Sequence, residues 1–172
     1  MDLIECFEKR RSVRGFTDEE VPDELIDNAL LVANMAPSAG NLQARDFIVV
    51  RNAGTRTGLA AAAHDLKFVA EAPVVIVCCA NHDRIIDYGP RGRDLYCLQD
   101  VAASIENMLL YFAAQGYGSC WVGAFDENRV SEALGLPDHS RPVAMLPVGR
   151  PKREWAKPPR VGIDGLVHRE RW

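Results

Sequence analysis

The chain has 172 residues, 48% of them hydrophobic and 26% charged, with 20 Lys+Arg against 24 Asp+Glu and a formal net charge of −4. That length predicts one domain with a packed core, and the composition excludes disordered, collagen-like and coiled-coil chains. The apolar run at 73–80 is far shorter than the ~20 residues of a bilayer-spanning helix, and the N-terminus lacks the charge order of a signal peptide. A soluble, cytoplasmic protein is therefore expected.

In chain order, Leu3, Ile4 and Phe7 make a short apolar face on a first helix that runs into a basic knot, Lys9-Arg10-Arg11 with Arg14. Val21-Pro22-Asp23-Glu24 reads as a helix start with proline at the first helical position and acids in the first turn. Leu25, Ile26, Ala29, Leu30 and Ala33 keep helical spacing until Pro37-Ser38-Ala39-Gly40-Asn41 breaks it. Phe47 to Val50 is a predicted strand and Leu59 to Ala63 a helical stretch. The β-branched run Pro73 to Ala80 predicts a strand buried on both faces. Leu95, Leu98, Ala102, Ile105, Leu109 and Phe112 predict a long central helix ended by Gly116 and Gly118. Ser119 to Val122 reads as a strand. Asp126 caps a short helix over Val130 to Leu134 that Gly135 stops, and Val143 to Val148 is a last buried strand. Helices and strands without regular βαβ alternation predict an α+β sandwich, with helices around a mostly antiparallel sheet.

Charge divides the chain into a 1–149 body and a 150–172 arm. The arm holds seven basic and three acidic residues, a charge of +4 that leaves −8 on the body. Its prolines and weak periodicity predict that it lies across a neighbouring surface, most simply a second subunit. An acidic body argues against a nucleic-acid partner, whereas two local cationic clusters suit a small anion such as a phosphate. The five cysteines show no C-x-x-C spacing and the four histidines no local metal motif, so reduced buried thiols and no metal are expected.

Three segments carry residues with no obvious core role. Arg10-Arg11-Ser12-Val13-Arg14 places guanidinium groups and a hydroxyl where they can fork onto phosphate oxygens; a solvated charged turn is the alternative. Ala36 to Gln43 is a turn of small residues whose backbone can approach a ligand closely and whose amides can read a heterocycle edge; an ordinary loop is the alternative. Gly116 to Asp126 ends on Gly123-Ala124, backbone that could pass flat against a planar ring. No G-x-G-x-x-G, P-loop or G-x-S-x-G pattern occurs, which argues against Rossmann, nucleotide-triphosphatase and hydrolase sites.

Together these segments resemble the nitroreductase family of FMN-dependent oxidoreductases, over nearly the whole chain. RRSVRGF at 10–16 looks like its phosphate motif and APSAGNLQ at 36–43 like its flavin loop. GYGSCWVGAFDE at 116–127 looks like the strand and turn over the flavin, and PVGRP at 147–151 leads into a basic arm. The ending GLVHRERW is similar to short bacterial and archaeal members. The resemblance implies a three-layer α+β homodimer with a swapped C-terminal arm and FMN at the subunit interface. Arg10, Arg11, Ser12 and Arg14 would bind the phosphate and ribityl chain from one subunit. Pro37, Ser38, Ala39, Asn41 and Gln43 would line the ring from the other. Lys67 would stand near flavin N1 and O2, with an exposed surface lysine as the alternative, and Gly123 and Ala124 would present a backbone N–H near N5. Gly149, Arg150, Lys157 and Arg160 are candidates for closing over the phosphate.

The resemblance also implies a ping-pong cycle. NAD(P)H gives hydride to the flavin and departs, and a small-molecule acceptor such as a nitroaromatic or quinone then takes it. No catalytic side chain is implied, and no membrane partner. Two departures stand out: Gln43 is followed by Ala44-Arg45 where longer members have Pro-Trp, and only Asn81 to Asp94 separates the 73–80 strand from the long helix. The short segment suggests an open site, with Tyr88, Arg91 and Arg93 as candidate contacts or simply a solvated loop. A specialised dehalogenase-type flavoenzyme and a non-catalytic flavin-binding, storage or sensor protein are the alternatives.

Overall fold

A computed structural model describes residues 2–172. Its elements in chain order are α1 (Leu3–Lys9), α2 (Asp23–Asn34), β1 (Arg45–Val50), α3 (Ala53–Ala62), α4 (Lys67–Glu71) and β2 (Val74–Asn81). Then come α5 (Gly89–Arg91), α6 (Cys97–Ala114), β3 (Gly118–Ser119), α7 (Glu127–Leu134) and β4 (Ser140–Gly149).

The β-branched run becomes β2, buried at all eight positions. It lies second in an antiparallel sheet of order β1-β2-β4-β3. Side chains alternate across a strand, so Val74, Ile76, Cys78 and Ala80 enter one core with α2 and α6, while Val75, Val77 and Cys79 enter another beneath α3 and α4. Each fully buried aliphatic side chain contributes on the order of 1.5–3 kcal/mol, and these two faces carry most of them. The result is the three-layer α+β arrangement. All five cysteines are free and buried, packed as small apolar groups.

Several local expectations change. Pro22 is the N-cap of α2 rather than its first helical residue, with extended backbone at ψ 142°. Gly116 does end α6, at φ +74°, where the Tyr117 amide donates to the Phe112 carbonyl at 2.8 Å. Gly118 instead belongs to β3, where a Cβ would meet Val13 at 2.7 Å. The 119–122 strand shortens to β3 plus an isolated Val122–Met145 bridge. The segment after β2 coils into helical turns at Ile86–Tyr88, α5 and Gly92–Tyr96. The arm divides: Arg150 to Trp155 lies along residues 15–17 of its own chain, through Thr17 N–H to the Arg150 carbonyl (2.9 Å) and Lys152 N–H to the Gly15 carbonyl (3.1 Å). Only 156–172 is exposed throughout.

Candidate functional site

Residues 10–14 leave α1 as extended chain and add to the β3 edge through a parallel Ser12–Ser119 bridge, with Val13 N–H donating to the Ser119 carbonyl at 2.9 Å. Alternation buries Val13 against Gly118 and turns Ser12 and Arg14 outward. The arm returns beside them, and its Trp155 packs half-buried on the second core. The two segments enclose a cavity of about 390 Å³ whose polar lining is Arg10, Arg11, Ser12, Arg14, Lys157 and Arg160. No carboxylate lines it. Arg11 caps α1 by donating to the Glu8 and Arg10 carbonyls, and its Nε is buried with no partner. Five cations, a hydroxyl and no acid form the donor set of a phosphate group, so the residues present fit the phosphate end of FMN. Cys120 is buried nearby; burial pushes its thiol up, while Arg14 pulls the other way.

Of the four arm candidates, Lys157 and Arg160 reach this cavity. Gly149 and Arg150 do not. Gly149 is wedged at the end of β4, where a Cβ would meet Pro73 at 2.8 Å and Phe16 at 3.0 Å. The Arg150 guanidinium lies 4.0 Å above the Tyr117 ring and pairs with Glu19 at 3.3 Å. A cation already stacked and paired is held away from the cavity.

The 36–43 turn is a loop whose backbone is set from beneath. Gly40, Asn41 and Gln43 have φ of +56°, +57° and +46°. For Asn41 and Gln43 that left-handed conformation costs about 1–2 kcal/mol each in general, less for asparagine, so something must hold it. Ser38 Oγ accepts from Gln43 N–H at 3.0 Å. Asp100, on α6, accepts from Ala39 N–H at 2.9 Å and from Ala44 N–H at 3.4 Å. Arg45 donates to the carbonyls of Asn34 (3.1 Å), Ala36 (3.0 Å) and Pro37 (3.5 Å), at and just beyond the end of α2. Both charged residues are 3% exposed. Burial lowers the Arg45 pKa and Asp100 raises it. Gln43 folds back, its Nε2 donating to Asn41 Oδ1 at 2.7 Å. Neither Asp100 nor Arg45 figures among the sequence candidates. Their only signal is a charge at an otherwise apolar position: Asp100 lies on the buried stripe of α6, and Arg45 opens β1.

Lys67 opens α4 and is exposed; Gly123 and Ala124 are exposed between the Val122–Met145 bridge and the Asp126 N-cap of α7. The 82–96 segment packs on the loop from outside. Arg84 donates to the Gln43 and Arg45 carbonyls at 3.0 and 2.9 Å. The Tyr88 hydroxyl stands 2.6 Å from where a Cβ on Gly40 would be. Among the described residues, no cluster of His, Cys, Asp and Glu could hold a metal ion, and no helix is long and apolar enough to cross a membrane.

The basic cavity and the small-residue loop lie at opposite edges of the sheet. The loop leads into β1, whereas Ser12 stands beyond β3. Four strand spacings separate them, on the order of 20 Å.

Comparisons with known proteins bear on the family and the fold. The Nitroreductase family model matches residues 7–69 and 63–150. A Thermus thermophilus protein named NADH dehydrogenase is 32% identical over 187 residues, covering 92% of this chain and 91% of that protein. An oxygen-insensitive NADPH nitroreductase of Salmonella typhimurium is 28% identical, covering 98% of this chain and 74% of its own. The NADPH:FMN oxidoreductase of Vibrio harveyi, solved with NAD+, superposes with a TM-score of 0.91 at 25% identity, over 98% of this chain and 77% of its own. By fold, by family match and by relatives of its own length, this chain belongs to the nitroreductase family.

Proposed function

We propose that this chain is an FMN-dependent oxidoreductase that passes hydride from NAD(P)H to a small electron acceptor, such as a nitroaromatic or quinone, by a ping-pong cycle in the cytoplasm. The observation that carries the reading is the cavity of five cations and one hydroxyl, Arg10, Arg11, Ser12, Arg14, Lys157 and Arg160, built from two segments more than 140 residues apart in sequence. FMN, when bound, supplies the two-electron chemistry. The protein's own residues bind and orient. Arginine forks and the Ser12 hydroxyl hold the phosphate. The small-residue loop Pro37, Ser38, Ala39, Asn41 and Gln43 offers backbone and short side chains to a planar ring. Gly123 and Ala124 offer exposed backbone to the same ring, and Lys67 supplies positive charge to offset what reduction adds. No side chain of this chain moves a proton in the proposed cycle.

The working form is a homodimer with a site at each subunit interface. The distance across the sheet supports this, because cavity and loop of one copy stand at opposite edges and need a second copy to bring them together. The exposed apolar side chains of α1 (Leu3, Ile4, Phe7) and of the arm (Val161, Ile163, Leu166, Val167, Trp172) support it too, since burial against a partner would remove them from water.

The test is an anaerobic mixture of FMN-loaded protein with NADPH or NADH. Rapid bleaching of the flavin absorption supports the reductase. A stable yellow complex that neither nicotinamide bleaches would leave a flavin-binding protein, and a chain that takes up no FMN would overturn the cofactor. Sedimentation at micromolar concentration tests the dimer; a 19.0 kDa species would refute it.

A further inference from the structure

We infer that Asp100 is a positioning residue for the flavin-facing loop: one buried carboxylate clamps both ends of residues 39–44, and buried Arg45 holds the segment that leads into them. This rests on the reading of that loop as the flavin's ring-side contact and adds to it the device that sets the loop's shape before any ligand arrives.

The two oxygens of Asp100 act at different places. Oδ1 accepts from the Ala39 amide at 2.9 Å and Oδ2 from the Ala44 amide at 3.4 Å. Between those two amides lie the three left-handed residues Gly40, Asn41 and Gln43. A chain pinned at both ends can hold several such residues together; released at one end, each relaxes toward negative φ. Asp100 is itself fixed, because it projects from the buried stripe of α6, the longest helix, where the Ser104 hydroxyl donates to its carbonyl at 3.0 Å.

Arg45 completes the brace. Its guanidinium takes the carbonyls of Asn34, Ala36 and Pro37, which α2 leaves without helical partners, and also approaches the Asp100 carbonyl at 3.5 Å. A buried carboxylate and a buried guanidinium thus hold successive stretches of one backbone, the cation taking carbonyls and the anion taking amides. Hydrogen bonds to buried charges are the strong kind, and each group offsets the other's charge.

The experiment pairs two variants with one measurement on the unaltered protein. Asp100→Asn replaces one acceptor oxygen by a donor facing an amide, and it leaves Arg45 unbalanced. Asp100→Asn with Arg45→Met removes both charges at similar volume. Both are titrated with FMN and with lumiflavin, which lacks the phosphate, while melting of the flavin-free protein reports stability. Asp100→Asn is expected to melt earlier and to bind both flavins at least 10-fold more weakly, by the same factor. The double variant is expected to regain melting temperature but not flavin affinity, and to show altered visible circular dichroism of the bound flavin.

A double variant that binds both flavins like the unaltered protein would overturn the proposal, leaving the pair a mere charge balance. Should neither variant fold, amide exchange of the flavin-free unaltered protein decides. Ala39 and Ala44 amides at least 100-fold slower than unstructured chain support a preset loop, and fast exchange refutes it. Failure of the unaltered protein to bind FMN is a separate result that removes the flavin reading, while exchange still reports on the clamp.

Discussion

The basic cavity and the small-residue loop are built in opposite ways. The cavity is built from exposed or half-exposed charged side chains on two segments near the ends of the chain, and it would select by charge. The loop, residues 36–43, carries no charge of its own; its shape comes from buried Asp100 and Arg45, and it would select by backbone geometry. Charge recognition tolerates mobile side chains because Coulomb attraction varies gently with distance. Backbone recognition requires positions held to a few tenths of an ångström, so its determinants sit beneath the loop.

The largest effect that can break this contrast is removal of the cavity's charge. Arg10→Ala with Arg14→Ala is expected to weaken FMN at least 100-fold, since each charge-assisted bond contributes about 1.5–3 kcal/mol, and to leave unchanged the binding of lumiflavin, which has neither phosphate nor ribityl chain. Equal losses for both ligands in a fluorescence titration would show that the arginines shape the site rather than read the phosphate.

Gly40→Ala probes the other side. The new methyl would require φ near +56° and displacement of the Tyr88 hydroxyl from 2.6 Å. A strain of about 1–2 kcal/mol is expected, read as a weakening of roughly 5–30-fold that is the same for FMN and riboflavin. A loss confined to FMN would erase the distinction between the two regions.

A smaller effect belongs to α7, which serves as a control. Asp126→Ala removes the N-cap whose carboxylate accepts from the Asn128 and Arg129 amides at 3.0 and 3.1 Å. About 1 kcal/mol of stability should go, a fall of about 2–4 °C in Tm, with little change in flavin affinity.

The smallest effect is at acid pH. Glu127 accepts two 2.8 Å bonds from Arg141, which hold its carboxyl below the usual range. A depressed pKa contributes stability above the unfolded value of about 4.3, and that stability is lost as pH falls through the lower folded value. Glu127→Gln should therefore lower Tm slightly at pH 7 and flatten its decline below about pH 4.3. Because both side chains are more than 40% exposed, salt should reduce the difference.

The cavity was more legible in the sequence than the loop. Arg10, Ser12 and Arg14 lie within five residues, a cluster visible without the fold; that the segment is extended and turns Ser12 and Arg14 outward came from its bridge to Ser119. The arm's charge pointed at the same anion, yet it could not separate Arg150 from Lys157 and Arg160. That choice depends on Tyr117 and Glu19, which offer Arg150 a ring and a carboxylate more than 30 and 130 residues away. Ser38, Ala39 and Asn41 marked the loop by composition. Its support did not show, because Asp100 acts across 61 and 56 residues of sequence.

By itself the sequence determined the periodic elements, the strand buried on both faces, the helix ends at Gly116 and Gly135, and the order of the flavin-family motifs. These are local signals, set by side-chain spacing of 2 or 3.6 residues and by backbone freedom at single glycines. Only the tertiary structure decided which arm cations face the cavity, that Gly118 serves the approach of Val13 rather than a helix end, and that a buried aspartate and arginine hold the loop. Those facts depend on contacts between residues distant in the chain. A charge in an apolar stripe reads as an exception until its partner is found across the core.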